Sequence, residues 1–207
     1  MIPFKNVLIF SPHTDDAELG CGGTISMMRR NNINVSVVIF SDAKISQPEG
    51  YSLKNECESS LMELDVNSFS IYGFETRSFR KKSDEISKLI YEKYNEMKPD
   101  LVICPCSSDK HPDHHVVYRE TVRICRTSII GFELQHNHSN IENPLFIKLE
   151  NIDIMNKIKS LSLYKSQVQV LKRPYFETSI IKGSAEIRGI QCDVKVAEMF
   201  QAINIII

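Results

Sequence analysis

Two short segments carry residue types that do chemistry together. The first is SPHTDD at 11–16, which places His13 and Asp16 at i and i+3 with Asp15 between them, directly after the apolar run Val7–Phe10. The second is HPDHH at 111–115, which places His111 and His114 at i and i+3 around Asp113, shortly after the apolar run Leu101–Cys104. Adjacent carboxylates repel, and a dication would offset that repulsion, helped by the positive end of a following helix. Two histidines and one carboxylate with an open fourth position are the donors of a catalytic zinc rather than a structural one. Such an ion brings the pKa of bound water toward neutrality, so a weak base suffices. If Asp16 is the ligand, Asp15 is left beside the ion as that base. Either segment alone reads equally well as a helix cap or a surface pair; it is their pairing that favours a site.

The elements around them predict how they meet. Val7–Phe10, Val35–Phe40, Ser68–Tyr72 and Leu101–Cys104 read as strands, and Ala17–Arg30, Leu53–Leu64, Ser83–Met97 and His115–Arg126 as helices. Strict alternation predicts a Rossmann-like α/β fold, a mostly parallel sheet flanked by helices. Ligands of such sheets sit beyond the carboxyl ends of the strands, where both segments fall. Ser41–Ser52 reads as a long loop. Beyond residue 130 the pattern changes: Ile129–Leu134 and Leu145–Leu149 read as strands around a polar stretch, Asp153–Tyr164 as a helix, and Gln167–Ile207 as irregular. The expectation is one domain over 1–207, with a core at 1–130 and a C-terminal portion at 131–207 that packs on it and completes the pocket.

Composition excludes several classes. Lys+Arg 25 against Asp+Glu 26 lacks the basic surplus of a nucleic-acid binder. No apolar run approaches the roughly 20 residues of a membrane span, and the first residues lack the build of a signal peptide. The expectation is a cytoplasmic protein with no nucleic-acid partner and no membrane span. The six cysteines form no C-x-x-C pair, and Cys104-Pro105-Cys106 is a weak metal or redox signal, so they read as reduced and mostly buried. Gly20, Gly22 and Gly23 lack the spacing of a dinucleotide fingerprint, and no Walker-type lysine follows. They read as permitting close backbone approach to the metal site. The apolar run Ile203–Ile207 fits a subunit contact of a homo-oligomer or a buried edge strand.

The segment PHTDDAELGCGGT resembles the P-H-x-D-D signature of the LmbE/PIG-L family of zinc-dependent N-deacetylases, and HPDH at 111–114 resembles its second signature. Weaker agreement runs on through Phe132-Glu133, Ser166-Gln167, 185–189 and 197–200. The resemblance implies a hydrolase that removes acetyl from an N-acetylglucosamine-type small molecule or conjugate. It implies His13, Asp16 and His114 as ligands of Zn²⁺ and Asp15 as general base. His111 would stabilise the oxyanion or protonate the leaving amine, oriented by Asp113. His115 is a rival third ligand, and Fe²⁺ or another divalent ion suits the same donors. Where relatives often carry an arginine near the sugar, the region 50–58 offers Lys54; His136 and Arg188 are further candidates for touching substrate. Two other readings stay open: an amidase on a non-sugar amide or thiol conjugate, and a nucleotide-binding module.

Overall fold

Each half of the apolar run in the first strand has its own layer to fill. In the computed structural model, which describes residues 3–138 and 140–206, Val7 and Ile9 point into one core and Leu8 and Phe10 into another. Successive strand side chains alternate faces, so a continuous apolar run marks a strand buried on both sides.

The chain runs β1 (Asn6–His13), α1 (Asp16–Arg30), β2 (Asn34–Ser41), α2 (Leu53–Glu63), β3 (Ser68–Ile71), α3 (Ser83–Met97), β4 (Leu101–Pro105), α4 (Pro112–Ile124), β5 (Ser128–Phe132), β6 (Pro144–Lys148), α5 (Asn151–Ser162), α6 (Thr178–Gln191) and β7 (Ala197–Asn204). The sheet order is β3-β2-β1-β4-β5-β7-β6. β1 to β5 pair in parallel, and β7 alone runs against its neighbours. The order reverses between β1 and β4, the switch point at which such sheets bind ligands. One core lies on the face covered by α1, α2, α5 and α6, the other under α3 and α4. No helix of the described residues is long and apolar enough to cross a membrane.

Four expectations differ from the structure. The fourth helix starts at Pro112, not at residue 115: proline tolerates the first helical position because that N–H has no helical partner, and His111 caps it. The stretch 167–207 is not irregular, because it holds α6 and β7. On α6, Ile180, Ile187 and Ile190 face solvent, which hides the helical period from sequence. β7 is an internal strand between β5 and β6, not an edge. Ile203 packs partly against the second core, Ile205 and Ile206 are exposed, and Ile207 lies outside the described residues.

The glycines after Asp16 serve packing, not close approach to the site. A Cβ on Gly20 would lie 2.5 Å from the Phe132 ring, and one on Gly23 would lie 2.7 Å from Leu149. They bring α1 onto the sheet and the C-terminal portion, not onto the site. The helix also breaks among them: Cys21 has φ −145° and ψ 23°. A buried ion pair closes both sides of the break. Glu198 of β7 accepts the Gly23 and Thr24 N–H groups at 3.0 and 2.7 Å, while Lys157 of α5 donates to the Leu19 carbonyl at 2.6 Å. The two side chains meet at 2.7 Å. A helix start leaves donors and a helix end leaves acceptors, so the carboxylate and the ammonium each sit at the fitting end.

Gly20→Ala is expected to destabilise the protein by about 1–3 kcal/mol through overpacking against Phe132. Gly183→Ala, in α6 with open space around it, is expected to stabilise by about 0.4–1 kcal/mol. Urea unfolding of the pair checks both signs.

Candidate metal and catalytic centre

β1 ends at His13 and α1 begins at Asp16, so the two-residue turn between them brings a histidine and a carboxylate together. α4 brings His114 from the neighbouring strand end. Three atoms converge: His13 Nδ1 and His114 Nε2 are 3.1 Å apart, and Asp16 Oδ2 lies 3.2 Å from the first and 3.1 Å from the second.

The outer ring nitrogens decide what these atoms offer. His13 Nε2 is 3.0 Å from Asp113 Oδ2, and His114 Nδ1 is 2.7 Å from Asp109 Oδ2. An ionised carboxylate only accepts, so each outer nitrogen carries the proton of the neutral ring and each inner nitrogen presents a lone pair. With both rings neutral, three acceptor atoms face one point. Their separations approach the roughly 3.3 Å edge of a tetrahedral shell around a zinc-sized ion with ligands at about 2.0–2.1 Å. The donor set therefore fits a divalent cation. The field favours positive charge at this point, which a proton on His114 supplies when no cation does: burial opposes charge on the ring, but Asp16 and Asp109 overcome it and raise its pKa to about 10. Asp16 is held well below the usual carboxylate range by the two histidines, against its own burial.

His111 also brings a ring nitrogen within 4.8 Å of the two histidines. It is not the third donor, because its Nδ1 already accepts the Asp113 N–H at 3.2 Å. That bond leaves the proton on Nε2, and His111 lines the cavity as a donor. Burial and the two neighbouring histidines lower its pKa to about 4, so it stays neutral. Asp113 was expected to orient His111. Its carboxylate instead holds His13 and accepts the Arg77 and Phe79 N–H groups at 2.6 and 3.2 Å. Only its backbone N–H reaches His111, since on α4 its side chain turns toward β1.

Asp15 stands between His13 and Asp16 in the turn, at φ 82°, ψ −27°. That left-handed backbone is unfavourable for a residue with a Cβ, and such strain gathers at functional positions. Burial and the adjacent Asp16 push its pKa well up.

A cavity of about 290 Å³ opens over these groups, lined also by Thr76, Arg77, Asn137, Gln167, Arg173 and Tyr175. Gln167, Arg173 and Tyr175 follow α5, so the C-terminal portion does complete the pocket. His136 reaches the cavity and stacks on Tyr175 with ring centroids 4.0 Å apart. Lys54 does not: Leu53 lines the cavity, and one helical step turns Lys54 about 100° away into solvent. Arg188 lies in an adjoining cavity, its guanidinium engaged by Glu133 and by Gln191 at 2.9 Å. His115 is exposed on the outside of α4. Cys104 and Cys106 are buried, and burial raises both thiols. Asp109, Arg77, Arg173 and Tyr175 are site residues that the spacing of the motifs did not single out. Asp109 had a signal, since it precedes His114 by five residues within the same segment.

Fold and centre together define a Rossmann-like domain with a histidine–carboxylate cluster at its switch point. The model of the family "PIG-L: GlcNAc-PI de-N-acetylase" matches residues 8–125, and the chain belongs to this family. It is 25% identical over 169 residues to the "uncharacterized deacetylase YaiS" of Escherichia coli strain K12, covering 78% of this chain and 91% of that one. It is 20% identical over 190 residues to a "probable N-acetyl-alpha-D-glucosaminyl L-malate deacetylase 2" of Bacillus subtilis strain 168, covering 82% and 86%. The fold matches the crystal structure of the N,N'-diacetylchitobiose deacetylase of Pyrococcus horikoshii with a TM-score of 0.76 at 18% identity, covering 97% of this chain and 84% of that one.

Asp113→Ala strands the buried Phe79 N–H and the half-buried Arg77 N–H and frees His13. It is expected to destabilise the protein by about 2–4 kcal/mol. Denaturant unfolding measures it, and a loss below about 1 kcal/mol would show that this carboxylate is not what fixes the centre.

Proposed function

We propose that the protein is a metal-dependent deacetylase that hydrolyses the acetamide of an N-acetylated amino sugar, an N-acetylglucosamine-type small molecule or conjugate. The observation that carries this is the convergence of His13 Nδ1, His114 Nε2 and Asp16 Oδ2 beside a strained, buried Asp15. Family membership supports the same reading. Residues 1–207 act as one domain in it, since strands from both portions share one sheet.

His13, Asp16 and His114 would hold the ion, with Zn²⁺ the first choice for this nitrogen and oxygen set and Fe²⁺ the second. When bound, the ion supplies charge that polarises the acetamide carbonyl and acidifies the attacking water. The chain supplies the rest. Asp15 accepts the proton of the water as its oxygen bonds to the carbonyl carbon; its raised pKa makes it a stronger base than an ordinary aspartate. His111 donates Nε2–H to the carbonyl oxygen as negative charge develops there, and being neutral it gives up no proton of its own. The C–N bond then breaks, and the proton held by Asp15 passes to the leaving amine. Acetate and the free amine leave. Asp109 and Asp113 fix the two imidazole rings throughout.

Metal-loaded protein should release acetate from N-acetylglucosaminides. Asp15→Asn should lower kcat by about 10²–10⁴-fold while the fold is kept, since asparagine tolerates a left-handed backbone. Full activity in this variant would remove Asp15 as the base.

Zinc at about 100 times its Kd should stabilise the chelator-treated protein by about 2.7 kcal/mol. Calorimetry should then show Tm rising by roughly 5–10 °C. An unchanged Tm would remove the cation from the reading.

A further inference from the structure

The catalytic cavity has a neighbour on its inner side. Leu19, His136 and Tyr175 line it, and the same three residues line an inner cavity of about 60 Å³. The inner cavity in turn shares Glu133, Gln135, Ile180, Ser184 and Arg188 with a depression on the surface of α6. Three hollows thus lie in series from Asp15 to solvent. The mouth of the catalytic cavity is elsewhere, where Ser46, Arg77, Leu171 and Arg173 are exposed; none of these four lines the other two hollows. The His136 and Tyr175 rings form the partition, stacked 4.0 Å apart with their planes 7° from parallel.

Size and wall chemistry limit what the inner cavity admits. One water takes about 30 Å³ of the liquid, so about 60 Å³ holds a fragment the size of acetate and no sugar ring. Leu134, Ile181, Ala185 and Met199 give the cavity an apolar side. Its polar side carries two ion pairs with buried carboxylates, Arg188 with Glu133 and Lys157 with Glu198. Each cation has donors left over. Of the five N–H groups of a guanidinium, Glu133 takes two and Gln191 one. Of the three of an ammonium, the Leu19 carbonyl and Glu198 take one each. A small molecule with a methyl at one end and an oxyanion at the other matches both sides.

We infer that the inner cavity is a site for the acetate product and its way out: acetate passes the His136–Tyr175 partition, is held by the spare N–H groups of Arg188 and Lys157, and leaves over Ser184 on α6. This rests on the deacetylase reading above. The two products differ in size. The amine fills the mouth by which the substrate entered, and a separate exit lets the small product leave while the large one is still bound. His136 is exposed, and exposed side chains change rotamer within nanoseconds, so the partition opens without moving the backbone. A charge-assisted hydrogen bond contributes enough for about a ten- to hundredfold gain in affinity.

The test assays zinc-loaded protein on N-acetylglucosaminides, reading the released amine while acetate is added at constant ionic strength. Acetate should lower kcat as well as raise KM, the pattern of a product that binds with the amine still in place. Ser184→Leu puts a branched side chain where the inner cavity meets the depression. It should raise the acetate inhibition constant read from kcat by about tenfold or more, whereas Ser184→Ala, which leaves the passage open, should keep the wild-type pattern. Ile180 is exposed and lines the same junction, so Ile180→Trp gives the reading if Ser184→Leu folds poorly. Acetate that does not inhibit, that raises KM alone, or that lowers kcat equally in the plugged variants overturns the exit and leaves the deacetylase reading standing. No amine from any N-acetylglucosaminide overturns that reading and this proposal with it.

Discussion

Three lone pairs aimed at one another are the constraint on which this molecule turns. His13 Nδ1, His114 Nε2 and Asp16 Oδ2 lie within 3.2 Å of each other, and with neutral rings their lone pairs repel unless a proton or a cation lies among them. What keeps them in place is outside the triangle. Asp113 and Asp109 pull on the far nitrogens of the two rings, and the His13 N–H fixes the Asp16 oxygen from behind at 2.9 Å. Each of these supports belongs to a different piece of the sheet: the β1 end, the loop after β4 and the first turn of α4. The strand-order reversal between β1 and β4 is what brings the pieces side by side.

The consequence is a division of labour among five carboxylates that look alike in the sequence. Asp16 faces the triangle and stays ionised. Asp109 and Asp113 face imidazole N–H groups. Asp15 faces the cavity from a strained backbone and is pushed toward holding a proton. Glu198 is farther off and completes a broken helix. Neighbours and burial, not residue type, separate the roles.

The residues of the converging donor cluster were legible in the sequence because their spacing is local. Two residues at i and i+3 in a turn or at a helix start meet whatever the rest of the chain does. The parallel half of the sheet was legible too, since β1, β2 and β4 are apolar on both faces. Partnerships across the chain were not. Asp113 sits two residues from His111, and proximity in sequence suggested that pairing, but its side chain crosses to His13, a hundred residues away. The glycines after Asp16 looked like part of the site because they adjoin it; their reason is Phe132 and Leu149, which no local pattern reveals. α6 was hidden by isoleucines facing water, and β7 by a buried glutamate whose partners lie in α1 and α5. Lys54 failed for a simpler cause: one residue along a helix is a third of a turn.

The broken helix α1 has a bearing on how the molecule is made. Ribosomal synthesis delivers His13, Asp16, Asp109, Asp113 and His114 well before Lys157 and Glu198. The emerging chain thus holds all three converging donors and both orienting acids while α1 still lacks the ion pair that closes its break, and while β7 has yet to slot between β5 and β6. The donors are synthesised first and the pair that closes the helix last, on a strand whose place lies between two strands that precede it in the chain.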